Sequence, residues 1–247
     1  MDVRTKPIPP LQSPRNWINI PIADTGDPII SVRSLNSPRI LVKSMYHSQG
    51  IPHARKECYV RKQVGERLVK AASLLPQKYR LLIWDSYRPF EVQKALYTSF
   101  YEKKKQEYPH LSENELDSMV KKYVSFPSLN EGAPSPHVTG GSVDLTIADK
   151  DGTAIEMGTE FDDFSEKAGT RFFETLLEKK ESVSEEDSRA LENRRLLYWV
   201  MRESGFTSYV HEWWHFDYGN QWWAELTEAD CAIYGVAENP PEELASK

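Results

Sequence analysis

Two short stretches of the sequence carry residue types that bind metal ions. The first is HEWWHF, residues 211–216, in which two histidines bracket a glutamate and two tryptophans. The second is SPHVTGGSVD, in which His137 lies in a glycine-bearing loop and Asp144 follows seven residues later. Imidazole nitrogens and carboxylate oxygens are good zinc ligands, and a catalytic zinc site combines three such ligands with one position open to water.

The first stretch satisfies H-E-x-x-H at His211, Glu212 and His215, a motif that requires both histidines on one face of a helix. The surrounding FTSYVHEWWHFDY is rich in aromatic and β-branched residues, which predicts a strand. We therefore predict that His137, Asp144 and His215 bind one metal ion, and that Glu212 is the base. Because a strand directs Glu212 and His215 to opposite faces, the chain must turn between them. His211 is expected to be exposed.

The elements that must position these groups are predicted from apolar periodicity and turn residues. The expected helices are residues 59–75, 89–100, 111–124 and 187–204, and the expected strands are residues 80–87, 142–148 and 207–218. Ser112 and Glu115 have the spacing of a helix capping box. This pattern indicates an α+β fold, in which helices pack around a central antiparallel sheet that carries the site.

We expect one catalytic domain over residues 1–247, with an extended proline-bearing arm at 1–17 and an acidic tail at 238–247. Apolar runs fall far short of the roughly 20 residues that cross a bilayer, so no membrane partner is expected. The net charge of -6 disfavours nucleic acid. The first residues have no apolar signal-peptide core, which predicts a cytoplasmic location. Cys58 and Cys231 are expected to be reduced, and no feature specifies an oligomeric state.

The pair SPHVTGGSVD and EWWH resembles the zinc D-alanyl-D-alanine dipeptidase family, whose motifs run S-x-H-x-x-G-x-[AS]-x-D and E-x-W-H. The resemblance covers roughly residues 59–218. It implies one zinc ion per chain, held by His137, Asp144 and His215, with Glu212 as the catalytic base. Ser142 stands where alanine is more usual in this pattern.

Two further motifs carry the resemblance to the substrate. DSYRP, residues 85–89, resembles D-G-Y-R-P and implies that Arg88 stabilises the transition state. MGTEFD, residues 157–162, resembles M-G-[ST]-x-F-D and implies that Asp162 lies near the free amine of the substrate. Ser135 is expected to contact the substrate carboxylate.

The implied function is zinc-dependent hydrolysis of the dipeptide D-alanyl-D-alanine to two D-alanine molecules, an activity of cell-wall metabolism. A peptidoglycan D,D- or L,D-carboxypeptidase or endopeptidase is the nearest alternative, since related zinc enzymes share the motif pair. A non-catalytic zinc module is the third, and Glu212 argues against it because a structural site needs no base and closes its fourth position.

Overall fold

The computed structural model describes residues 3–121, 123–238 and 240. The α-helices found in these ranges are α1 (Met45–Ser48), α2 (Lys62–Leu74), α3 (Phe90–Glu107), α4 (Glu113–Val120), α5 (Phe172–Glu178), α6 (Glu185–Glu203) and α7 (Gln221–Thr227). The strands are β1 (Ile29–Ser31), β2 (Ile40–Val42), β3 (Tyr59–Arg61), β4 (Arg80–Asp85), β5 (Ser142–Ala148), β6 (Thr207–Ser208) and β7 (His215–Asp217).

Five of these strands form the central sheet, in the order β2-β4-β5-β7-β6. All neighbours in it are antiparallel except β2 and β4, which run parallel, so the sheet is mixed. Strands β1 and β3 form a separate antiparallel pair. The predicted α+β class is confirmed, and the antiparallel strands β5 and β7 at the centre carry the predicted ligands Asp144 and His215.

The core lies between the sheet and the long helices α2 and α6. Every residue of β5 is buried, as are residues 81–85 of β4. On α2 the positions that recur at helical spacing, including Val64 and Leu68, are fully buried. Each such side chain contributes about 1.5–3 kcal/mol of transfer free energy. This packing places β5, and with it one of the predicted ligands, inside the main hydrophobic core.

Helix boundaries follow local chemistry. The helix predicted from residue 59 begins at Lys62, because residues 59–61 pair with β1 instead. Before α4, the Ser112 hydroxyl accepts a hydrogen bond from the Glu115 amide at 3.4 Å, and the Glu115 carboxylate accepts one from the Ser112 amide at 2.9 Å. The predicted capping box is therefore confirmed.

The strand predicted over residues 207–218 is instead a hairpin of two short strands. Thr207 pairs with Asp217 and Ser208 with Phe216, while residues 209–214 reverse the chain. The amide of His215 donates to the Glu212 carbonyl at 3.3 Å, which closes a turn between these two residues. The predicted turn between base and ligand is thus confirmed.

The described part of the N-terminal arm packs along the surface. The Ile8 amide donates to the Glu174 carboxylate at 2.9 Å, and the Lys6 ammonium lies over the Trp199 ring. Of the acidic tail predicted at 238–247, residues 239 and 241–247 lie outside the described residues. Cys58 and Cys231 are free thiols, as expected. No helix within the described ranges has the length and apolar character needed to span a bilayer.

Candidate metal centre

The three predicted ligands converge from two distant segments. Asp144 on β5 is the direct register partner of His215 on β7, and His137 lies in the 3-10 turn Pro136–Thr139 just before β5. His137 Nε2 lies 3.2 Å from His215 Nδ1, His215 Nδ1 lies 3.1 Å from Asp144 Oδ1, and His137 Nε2 lies 3.5 Å from Asp144 Oδ2. Donors bound tetrahedrally to zinc at 2.0–2.1 Å are separated by about 3.3 Å. The spacing therefore fits one zinc ion.

Hydrogen bonds on the far side of each ring fix which nitrogen faces the centre. His137 Nδ1 lies 2.8 Å from the Ser86 carbonyl, and because a carbonyl only accepts, Nδ1 carries the proton and Nε2 faces inward with its lone pair. His215 Nε2 lies 3.1 Å from Asp217 Oδ2, so Nδ1 faces inward. Both rings thus present a nitrogen to the same point.

The charges of these groups explain why a cation belongs between them. Burial, reinforced by Arg88, lowers the pKa of His137 to about 3, so this imidazole is neutral. Burial disfavours a charge on His215, but Asp217 and Asp144 outweigh it and raise its pKa well above the usual value. In the metal-free protein a proton on Nδ1 therefore links His215 to Asp144. A metal ion held by these residues would take the place of that proton, which is the usual coupling of metal binding to proton release.

Glu212 reaches the same centre because of the turn before β7. Its Oε2 lies 4.0 Å from His215 Nδ1, and the side chain lines the cavity in front of the three ligands. Burial raises the pKa of Glu212 to about 8, since His215 offsets only part of the cost and Asp144 adds to it. A carboxyl with a pKa near neutrality is suited to exchanging protons with a substrate or a water molecule.

Arg88 follows β4 and points at the ligands. Its Nε and Nη2 donate to Asp85 Oδ2 at 2.9 and 2.8 Å, Nη1 donates to Gln93 Oε1 at 2.7 Å, and Nη2 lies 3.4 Å from Asp144 Oδ2. Burial opposes the charge, yet Asp85, Tyr46 and Asp144 raise the Arg88 pKa above its usual value. Arg88 thus pairs with Asp85, the ordinary fate of an arginine, and also presents a fixed positive charge to the cavity.

Asp162 and Ser135 differ in their relation to the cavity. Asp162 lines it, adopts a left-handed backbone with φ of 60°, and accepts a hydrogen bond from the Tyr46 hydroxyl at 3.2 Å. Burial, with Asp144 adding to it, raises the Asp162 pKa to about 7. Ser135 is buried at the start of the turn that carries His137, and is not among the described residues that line the cavity. Its contact with the substrate stays a prediction.

The three predicted ligands line one cavity of about 310 Å³ together with Arg88, Asp162 and Glu212. His211 is exposed, as the sequence predicted, and lies outside the cluster of His137, Asp144 and His215. The helical H-E-x-x-H site is therefore excluded. The sequence did not indicate that Tyr209 and Trp222 line the cavity beside His215, or that Asp217 is the hydrogen-bond partner of His215. The only signal for Asp217 was its position two residues after His215, on the same side of a strand.

Comparison with known proteins agrees with this geometry. The family model described as Peptidase_M15, D-ala-D-ala dipeptidase, matches residues 35–230. A D-alanyl-D-alanine dipeptidase of Synechocystis is 29% identical over 84% of this chain and 88% of its own length. Those of Enterococcus faecium and Escherichia coli are 31% and 26% identical, over 62% and 67% of this chain and 70% and 69% of their own lengths.

The matched region contains every predicted ligand together with Arg88, Asp162 and Glu212. It also spans the whole central sheet. The chain therefore belongs to the Peptidase_M15 D-Ala-D-Ala dipeptidase family and is a metallopeptidase.

Proposed function

We propose that the protein hydrolyses D-alanyl-D-alanine to two D-alanine molecules with one zinc ion, held by His137, Asp144 and His215. The observation that carries the proposal is the convergence of three side chains: the two imidazole nitrogens lie 3.2 Å apart, and each lies 3.1–3.5 Å from one of the two Asp144 carboxylate oxygens. The Glu212 carboxylate lies 4.0 Å from His215 Nδ1. Such a site keeps one position open beside a base, the arrangement of hydrolytic rather than structural zinc. When bound, the ion would polarise the scissile carbonyl and lower the pKa of water toward about 7.

Glu212 acts as the general base and acid. Its carboxylate takes the proton of the attacking water and passes it to the leaving amine, the second D-alanine. Burial raises the pKa of Glu212 to about 8 in the metal-free protein, and a bound cation would favour its carboxylate form and lower that pKa, so that the side chain can accept a proton near neutral pH. Because Glu212 carries the same proton from the attacking water to the leaving amine nitrogen, no other acid is needed in the cavity.

Arg88 stabilises the negative charge that develops on the carbonyl oxygen. Its guanidinium is held by Asp85 and Gln93 before substrate arrives, so little reorganisation is needed in the transition state. Asp162 pairs with the free ammonium of the dipeptide, and Ser135 contacts its carboxylate. Recognition of both charged groups selects dipeptides over longer chains, in which a peptide bond takes the place of the ammonium, the carboxylate or both beside the two residues that are cleaved apart.

Release of D-alanine by the zinc-loaded protein tests the proposal. We expect turnover of D-alanyl-D-alanine, with little activity on L-alanyl-L-alanine or on N-acetylated dipeptide. A preference for muropeptides, or for a tripeptide ending in D-alanyl-D-alanine, would instead favour the peptidoglycan carboxypeptidase or endopeptidase alternative. The cytoplasmic location predicted from the sequence agrees with a small free substrate and stays a prediction.

A further inference from the structure

We propose that Asp217 is a positioning residue for the metal centre, orienting His215 and strengthening it as a ligand, with Ser142 and Asn220 holding the carboxylate in place. The inference rests on the proposed metal site. Asp217 is the third residue of β7 and is 1% exposed. It lies behind His215, on the side away from the cavity, and does not line that cavity. Its role is therefore exerted through the histidine.

The hydrogen bonds of Asp217 divide cleanly between its two oxygens. Oδ2 lies 3.1 Å from His215 Nε2, and Oδ1 accepts from the Ser142 hydroxyl and from Asn220 Nδ2, both at 2.6 Å. Because Oδ1 is occupied by two donors, the carboxylate cannot rotate without breaking both. The ring plane of His215 is thereby fixed relative to the sheet.

Each supporting donor is itself anchored. Ser142 is the direct register partner of Asp217 across β5 and β7 and is fully buried. The Asn220 side-chain oxygen caps α7 by accepting from the Trp223 amide at 3.0 Å, which leaves its nitrogen to donate to Asp217. A chain of hydrogen bonds thus runs from the start of α7 through Asn220 and Asp217 to His215.

The two predicted histidine ligands have different hydrogen-bond partners. His137 Nδ1 donates to the neutral carbonyl of Ser86 at 2.8 Å and lies 3.5 Å from Asp85 Oδ2, whereas the direct partner of His215 Nε2 is the buried carboxylate of Asp217 at 3.1 Å. A carboxylate partner raises the basicity of the opposite ring nitrogen more than a carbonyl does, and such partners typically change metal affinity 10–100-fold. A buried carboxylate is also costly unless it meets charged or polar partners, and His215 supplies that partner. Ser142 matters here because alanine, more usual at this position of the motif, would supply no donor.

Zinc affinity of the purified full chain tests the proposal directly, by competition with a chromophoric chelator. We expect Asp217→Asn to weaken zinc binding by about 10–100-fold. The Co²⁺-substituted protein should show a shifted visible absorption band, because the orientation of one ligand changes. Ser142→Ala removes one of the two donors to Oδ1 and should weaken binding by a smaller factor, about 2–10-fold.

The matched control is Thr146→Val, on the same strand as Asp144. Thr146 is fully buried, and its hydroxyl has no hydrogen-bond partner within the described ranges. This variant should keep wild-type zinc affinity. Circular dichroism and thermal melting of the metal-free proteins check that each variant is folded.

The outcomes separate this inference from the function it builds on. A folded Asp217→Asn protein with wild-type zinc affinity and an unchanged Co²⁺ spectrum overturns the inference while leaving the metal site intact. If Asp217→Asn does not fold, Ser142→Ala decides, and wild-type affinity in that variant overturns the inference. A wild-type chain that binds no zinc overturns both.

Discussion

The two halves of the cavity are built differently. The inner half includes Arg88, His137, Asp144, Asp162, Glu212 and His215; Asp144 and His215 lie on strands of the central sheet, and Arg88 and Glu212 lie three residues from the end of one. The outer half includes residues on α3 and residues that follow α4, together with Phe164: Leu96, Phe100, Lys103, Lys121, Tyr123, Val124 and Phe164. The strands behind the inner half pack into the main hydrophobic core. The aromatic residues of the outer half belong to a separate, smaller hydrophobic cluster.

This difference indicates that the two halves of the cavity have different roles. Arg88, His137 and His215 in the inner half each have at least two hydrogen-bonding contacts, so a small change there displaces the groups that face the cavity. Contacts in the outer half are mainly between rings, such as Phe100 with Phe164 at 4.5 Å between centroids. Apolar substitutions of similar volume in such a cluster have a modest cost in stability. We therefore expect inner substitutions to change metal binding or kcat, and outer ones to change substrate admission.

The largest effect is expected from His215→Ala. Removal of one of three ligands should lower zinc affinity by more than about 100-fold, above the range found for hydrogen-bond partners of ligands. Activity should be lost with the metal. Zinc content after dialysis measures this, and His211→Ala is the matched control, since this exposed histidine lies outside the cluster. Equal zinc loss in both variants would contradict the assignment.

Glu212→Gln should separate chemistry from metal binding. The amide keeps the size of the side chain but cannot take a proton from water, so kcat should fall by about 10²–10⁴-fold while zinc content stays that of the wild type. Steady-state kinetics and metal analysis on the same preparation give both numbers. Near-normal turnover in this variant would remove Glu212 from the mechanism.

Arg88→Lys keeps a positive charge beside Asp85 but loses the planar fork of the guanidinium. We expect kcat to fall by about 10²–10³-fold, with a smaller change in KM, because the contact forms mainly in the transition state. Arg195→Lys is a suitable control, since the Arg195 guanidinium donates through Nε and Nη2 to the Glu174 carboxylate, much as Arg88 donates to Asp85, but does not line the cavity. A rise in KM alone would assign Arg88 to ground-state binding.

Asp162 should give the enzyme a pH dependence. Burial raises its pKa to about 7 in the metal-free protein, so the carboxyl is neutral below that pH and charged above it. A bound cation favours the charged form, which places the transition at or below pH 7. We expect kcat/KM for D-alanyl-D-alanine, relative to its N-acetylated form, to fall by about 10-fold as the pH drops through this range. Asp162→Asn should give a low, pH-independent ratio, and an unchanged profile would exclude the pairing with the substrate ammonium.

The smallest effect is expected from Leu96→Ala in the outer half. Loss of a partly buried side chain here removes roughly 0.8 kcal/mol per methylene of apolar contact, at most, from any substrate that touches it. For D-alanyl-D-alanine we expect kcat and KM within about threefold of wild type. Steady-state kinetics on dipeptides of increasing side-chain size measures the effect. A fall in kcat as large as that of Arg88→Lys would end the distinction between the two halves.

The inner half was largely predictable from the sequence, and the outer half was not. Histidine and aspartate at the edges of a strand form a short-range pattern, and the need for Glu212 and His215 to meet required a turn, which the structure contains. The capping box at Ser112 predicted α4, but nothing local indicates that α3 and the residues after α4 line the cavity. The role of Asp217 could not be predicted from the sequence, because it depends on Ser142, which is distant in the chain, and on Asn220, which belongs to no recognised motif.

X-ray absorption at the zinc edge of the loaded wild-type protein tests the central claim most directly. The account predicts two imidazole nitrogens and oxygen donors at about 2.0–2.1 Å, with no sulfur, from His137, His215, Asp144 and water. A sulfur donor near 2.3 Å, implicating Cys58 or Cys231, or a single imidazole in the coordination sphere, would contradict it.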